Sequence, residues 1–295
     1  MKQIGIIGMG KWGKNLIKEF SNFAEIPICV THGNQENIKW LKKHFPMTKS
    51  STNINDIFNN NDIDAVVIAT PIPTHYELIK KSLKSDKHVF VEKPMVQTVH
   101  QANDVINIAK HKKLCLFVGH VFLHNQIFKQ IKKIEKSELI RELNFDWKKF
   151  GTFDENIFEN LLSHELSINF DLFGIPKKSE LISKSSCITD TDSIYVKLNY
   201  DKNKISNIHI DRISNYKKKI ITIVTKKNLF IWDNDKLFKL DKKSNSFKIF
   251  FESSHTPLFL ECKQFVSDIS SKTPKIDSAI LARDIVTIVS KMKKK

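Results

Sequence analysis

One N-terminal stretch decides the fold: Ile4-Gly5-Ile6-Ile7-Gly8-Met9-Gly10-Lys11-Trp12-Gly13-Lys14-Asn15. An apolar run leads into Gly-x-Gly-x-x-Gly, and apolar residues at helical spacing continue to about Phe23. An isolated pattern of this kind is weak, because glycines collect in many turns. Here it follows a strand, opens a helix, and falls where four of the chain's eight glycines lie within 13 residues. That context reads as a dinucleotide-binding turn. Gly8 permits the tight turn, Gly10 lets a pyrophosphate reach the backbone, and Gly13 lets the helix pack closely on the strand. The free N–H groups and positive dipole end of the helix then face the phosphates. Met9, Lys11 and Trp12 complete the candidate cofactor contacts of this turn.

Working outward, strand and helix signals alternate. Residues 27–30 read as a second strand and 36–44 as a helix, and a third unit is faint around 50–60. Residues 64–71 form a continuous apolar run ending in a turn, as expected of a parallel strand covered on both faces. A helix over 75–84, a strand over 88–92, a helix over 99–110 and a strand over 114–119 follow. The alternation predicts an α/β domain over 1–119, a Rossmann-type doubly wound parallel sheet.

The pattern changes after His120. A helix over 125–134 is followed by extended segments, of which 193–200 alternates cleanly between apolar and polar residues. Similar segments recur at 205–213, 219–225, 229–232 and 247–251, and helices over 257–270 and 278–291 close the chain. Residues 120–295 are expected to form an α+β domain on a largely antiparallel sheet, serving substrate binding and oligomer contacts.

Composition narrows the function. Of 295 residues, 41% are apolar and 27% charged, the balance of a globular protein. No run reaches the roughly 18 apolar residues of a membrane helix. The first strand begins at once, with no small-residue cleavage site before it, as expected of a cytoplasmic protein. The four cysteines are far apart and lack CxxC spacing, which points to buried thiols in a reducing compartment. The net charge of +16 suggests nucleic acid, yet only three of 48 basic residues are arginine: Arg141, Arg212 and Arg283. Arginine is the residue suited to bidentate phosphate and base recognition, so no nucleic-acid partner is expected. The dispersed lysines imply only a general attraction for anionic substrates.

Five motifs in order, GMGKWGKN (8–15), ATPIPTHYE (69–77), VEKP (91–94), GH (119–120) and SHELSINFDLFG (163–174), resemble the Gfo/Idh/MocA oxidoreductases along essentially the whole chain. The tryptophan after the glycine turn, the HVFVEKP strand, the DENIF segment and the stretch 209–233 resemble the branch that modifies nucleotide-linked amino and acetamido sugars for surface polysaccharides. The resemblance implies hydride transfer between NAD or NADP and a sugar or cyclitol carbon. It further implies a homodimer or homotetramer. It assigns the loop of Thr70, Pro71 and His75, together with Glu92, to the cofactor.

Lys93 ends a predicted parallel strand, where doubly wound folds place their ligands. Partial desolvation and the positive charge of an oxidised nicotinamide ring both favour its neutral amine. The resemblance assigns it proton movement at the reacting oxygen. His164 opens a predicted amphipathic helix whose buried face would be Leu166, Phe170, Leu172 and Phe173, and an imidazole suits proton exchange near neutral pH. The family's inositol-dehydrogenase pattern carries Asp four residues earlier, on the same helix face. Here that residue is Asn160, which cannot take a proton, and Asp154, Glu155 or Glu165 are the available substitutes. His120 and His124 are candidate substrate contacts. These histidines lack paired metal-ligand spacing, so no metal is expected. NAD-selective folds place an acid at the end of the second strand, but the chain reads Val30-Thr31-His32-Gly33-Asn34. Thr31 and His32 could bond either a ribose hydroxyl or a 2′-phosphate, so NAD and NADP both stay open. The rival reading is a non-catalytic dinucleotide-binding sensor or regulator of the same fold.

Overall fold

The computed structural model describes residues 1–271, 273 and 275–293. The chain forms two compact units, Met1–Val121 with Leu258–Val286, and Phe122–Pro257 with Thr287–Lys295.

In the first unit, β1 (Gln3–Ile7), β2 (Glu25–Val30), β3 (Lys49–Ser51), β4 (Ala65–Ile68), β5 (His88–Glu92) and β6 (Leu116–Gly119) make one sheet in the order β3-β2-β1-β4-β5-β6. Every pairing is parallel. The order reverses between β1 and β4, the switch point at which such sheets bind ligands outside their carboxyl ends. Helices α1 (Lys11–Phe20), α2 (Gln35–His44), α3 (Asn55–Phe58), α4 (His75–Lys84) and α5 (Val99–Lys112) connect the strands. Strand alternation divides the core in two. One layer joins Ile7, Ile68, Val91 and Val118 to Ile79, Leu83 and Val105, and the other joins Ile6, Val67, Phe90 and Phe117 to Leu16, Phe20 and Leu41.

The second unit holds α6 (Gln126–Glu138) and α7 (Ser163–Phe173) with eight strands: β7 (Ile140–Lys148), β8 (Lys178–Ser185), β9 (Ser193–Asn199), β10 (Ile205–Asp211), β11 (Lys218–Thr225), β12 (Leu229–Asp233), β13 (Lys236–Asp241) and β14 (Ser246–Glu252). Their order is β14-β13-β12-β11-β7-β10-β9-β8, antiparallel except for the parallel β7–β10 pair. Strand β7 was not singled out from sequence. A bulge lets Val224 face Glu142 while Thr225 faces Ile140, so the buried residues shift parity from Ile140 to Leu143 and Phe145 and the alternation is broken.

The closing helices α8 (Pro257–Asp268) and α9 (Asp277–Lys293) depart from the expected boundary. Residues 258–286 join the first unit, not the second. Cys262, Phe265 and Ile269 enter the Rossmann core. Phe265 meets Phe20, Phe90 and Phe117 edge-on, at centroid distances of 5.8, 5.6 and 5.7 Å. The returning chain also covers the open edge of β6: Leu116 donates to the Lys275 carbonyl and Val118 to the Ser278 hydroxyl, each at 3.0 Å. No helix among the described residues is long and apolar enough to cross a membrane.

Candidate functional site

The glycine turn has the three predicted environments. Gly8 adopts φ +104°, and a Cβ there would collide with the Ala69 carbonyl. A Cβ on Gly13 would strike the Gly8 carbonyl oxygen, so α1 packs on the turn as only glycine allows. Gly10 has nothing within 4 Å of its virtual Cβ, and no side chain caps α1. The turn therefore has an open face toward uncapped backbone donors, which fits a pyrophosphate. Met9 is 2% exposed and its side chain belongs to the core, so only its backbone can meet a cofactor. Lys11 and Trp12 are exposed. At the end of β2, Thr31 is buried, its N–H donating to the Ser51 carbonyl, whereas His32 is exposed.

Beyond β4, Thr70 and Thr74 share a hydroxyl hydrogen bond of 2.7 Å, and Pro71 leads into a short 3-10 turn. His75 requires a correction. It is 1% exposed, with Nε2 2.8 Å from the Thr70 carbonyl and Nδ1 3.0 Å from the Pro94 carbonyl. Its ring lies between the loop after β4 and the loop after β5, where a neutral imidazole donates to one of the two carbonyls. Burial lowers its affinity for a second proton.

Glu92 and Lys93 end β5, and the Lys93–Pro94 bond is cis. The Trp12 indole N–H donates to the Glu92 carboxylate, linking the glycine turn to this strand. Burial pushes the Glu92 carboxyl up to about 7 against the opposing pull of that indole and of the Lys93 ammonium. Glu261, fully buried on α8, is its electrostatic neighbour; burial and the charge of Glu92 hold the Glu261 carboxyl well above the carboxylate range. Gly119 makes room for the Glu92 carboxylate, since a Cβ there would lie 3.2 Å from one of its oxygens. His120, next in the chain, is 2% exposed.

In the second unit, His164 lies near the start of α7. That helix is not the amphipathic surface helix expected. Residues 165–170 are all buried, whereas Leu172 and Phe173 are only half-buried. Asn160 lies ahead of α7 in a five-residue π-helical turn, Phe158–Leu162, so the α-helical one-turn spacing to His164 does not hold. Of the three substitute acids, Asp154 and Glu155 are exposed and Glu165 is 2% exposed. His164 packs edge-to-face on Phe122 at 5.1 Å, and Trp232 lies 6.4 Å from the same ring. Lys219 Nζ sits 3.5 Å from the Phe122 ring centroid and 3.4 Å from Glu165 Oε1. Burial raises the Glu165 carboxyl and lowers the Lys219 ammonium, each against the pull of its partner. His124 is half-buried, and burial with the Lys129 charge lowers it to about 4. No group of three or more His, Cys, Asp or Glu among the described residues could hold a metal ion.

Residues 2–120 match the model of the Gfo/Idh/MocA oxidoreductase family, NAD-binding Rossmann fold. Over that stretch the chain is similar to this family. Among curated relatives, the chain is 27% identical to the uncharacterized oxidoreductase YdgJ of Escherichia coli over 219 residues, 69% of this chain and 63% of that protein. It is 25% identical to the NADP-dependent scyllo-inositol 2-dehydrogenase IolW of Bacillus subtilis over 220 residues, 68% of this chain and 60% of that protein. Both matches span less than two thirds of the relative's own length. The fold matches UDP-N-acetylglucosamine 3-dehydrogenase GnnA of Acidithiobacillus ferrooxidans with a TM-score of 0.89, covering 99% of this chain and 96% of that one at 16% identity.

Sequence reasoning passed over Phe122, Glu261 and Trp232. Lys219 fell within the stretch compared with the nucleotide-sugar branch, but nothing in the run Lys217-Lys218-Lys219 singled out one lysine. Only β11, which exposes alternate residues to opposite faces, separates it from its neighbours.

Proposed function

We propose that the protein catalyses hydride transfer between NAD(P) and a secondary carbinol carbon of a sugar, carried as a nucleotide sugar. The observation that supports this most directly is the open Gly10 turn joined through Trp12 to Glu92, the residue before Lys93. Gly8, Gly10, Gly13 and the α1 N-terminus would hold the pyrophosphate, with Thr31 and His32 toward the adenosine ribose. Thr70, Pro71 and Glu92 would border the nicotinamide, in loops that His75 fixes. NAD(P), when bound, supplies the hydride acceptor or donor.

The protein then has proton chemistry to perform. In the oxidising direction, Lys93 at the end of β5 takes the proton of the reacting hydroxyl; within the second unit, the His164 imidazole is the acid–base candidate. Asn160 can orient a hydroxyl by hydrogen bonding but cannot relay its proton. The nucleotide-sugar choice is supported by the motifs shared with that branch and by the whole-chain likeness to a UDP-sugar dehydrogenase; cyclitols are the second class, supported by the inositol dehydrogenase relative.

The test is absorbance at 340 nm with NAD or NADP and either UDP-N-acetylglucosamine or scyllo-inositol. Sugar-dependent reduction is expected, and Lys93→Met should lower kcat about 100-fold or more while leaving NADH affinity within a few-fold. NADH binding without turnover of any sugar or cyclitol would favour the sensor instead.

A further inference from the structure

Within the second unit, one aromatic ring carries two polar groups. The His164 imidazole meets Phe122 edge-on, and the Lys219 ammonium stands over the face of the same ring. Lys219 keeps 25% of its side chain exposed. Its partner Glu165 is 2% exposed, and Glu165 Oε2 makes no hydrogen bond among the described residues.

Such a pair is a poor way to stabilise a fold. Desolvating a lysine and a carboxylate costs about as much as their attraction returns, and apolar side chains of equal volume do as well or better. The geometry does achieve something else. Glu165 holds one end of the ammonium and the Phe122 face supports it, so its remaining N–H donors have a fixed direction on a ring that His164 also packs against. A donor held rigid loses little entropy on binding, and one in a partly desolvated setting bonds an oxygen more strongly than it would in water.

We infer that Lys219 is a substrate-binding residue of the second unit, donating to a hydroxyl or carbonyl oxygen on the sugar ring, with Glu165 as its positioning residue. The assignment rests on the sugar-oxidoreductase reading above. Lys219 itself makes no claim on the proton-transfer step, so its loss registers in substrate affinity.

The test is steady-state kinetics of the holoenzyme with NAD and UDP-N-acetylglucosamine, alongside NADH fluorescence titration and thermal melting. Lys219→Met should raise KM for the sugar at least tenfold and change kcat less than threefold, with NADH affinity unaltered. Lys219→Arg, which keeps the charge and donors, should recover most of that loss. Lys219→Met also strands Glu165, so the Lys219→Met/Glu165→Gln double variant serves as the folded comparator should the single variant melt early. A sugar KM within twofold of wild type in either Met variant would overturn the assignment of Lys219 while leaving the enzymatic reading intact. Equal kinetic and thermal losses in Lys219→Arg and Lys219→Met would reduce the residue to a structural part. Wild-type protein that turns over neither UDP-N-acetylglucosamine nor scyllo-inositol with NAD or NADP would defeat the functional reading itself, and the assignment with it.

Discussion

Gly10→Ala should separate folding from cofactor binding. Gly10 has φ −68° and ψ −172°, a conformation that alanine adopts freely, and its virtual Cβ meets nothing within 4 Å. Two small effects on stability oppose each other. Alanine is a poorer N-cap than glycine by about 0.5–1 kcal/mol, and restricting the unfolded chain returns about 0.4–1 kcal/mol. The net change is near zero, which for a chain of this size keeps Tm within about 2 °C. The added methyl nevertheless projects into the open face where a pyrophosphate must approach the α1 N–H groups. Displacing charge-assisted hydrogen bonds there, at about 1.5–3 kcal/mol each, should weaken NADH at least tenfold. Thermal melting and NADH fluorescence titration on the same sample read both quantities. Wild-type NADH affinity in Gly10→Ala would refute the reasoning, because it would mean that the phosphates do not pass over this turn.

Two further outcomes follow from packing and charge. Phe265→Ala should lower stability by about 3–5 kcal/mol in urea denaturation, as expected when a fully buried ring is removed, and a loss below 1 kcal/mol would show that α8 does not complete the first unit's core. Burial raises the Glu92 carboxyl from 4.5 to about 7, so the folded chain keeps a proton that the unfolded chain releases between those values. Stability should fall as pH rises through that window, by on the order of 2 kcal/mol from this residue, and Glu92→Gln should make the decline in Tm from pH 5 to 8 shallower; parallel slopes would contradict the assignment.

The first unit was legible because a parallel sheet covered on both faces writes its strands as unbroken apolar runs, and residues 64–68 and 88–91 could hardly be anything else. Gly8, Gly10 and Gly13 were legible because each answers a separate steric demand. What stayed hidden depends on contacts between distant residues. Strand β7 was obscured by its bulge, which moves Ile140 out of phase with Leu143. The surroundings of α7 could not be anticipated, since Glu165 reads as a surface residue until Lys219, 54 positions later, is seen beside it. His75 misled for the same reason: its position in the chain suggested ligand contact, and only the fold reveals two backbone carbonyls claiming its ring. Glu261 carried no local signal at all. It matters because α8 returns to lie against β5 and β6.

That return has a consequence for biosynthesis. By the time a ribosome has released residues 1–121, the first sheet has all six strands but lacks the helix that supplies Phe265 and the segment that covers β6. Its aromatic layer and its outer edge stay open while the 136 residues from Phe122 to Pro257 are translated. Nascent chains stalled before residue 258 should therefore engage chaperones and resist proteolysis poorly, and the N-terminal unit should close only as the last part of the message is read.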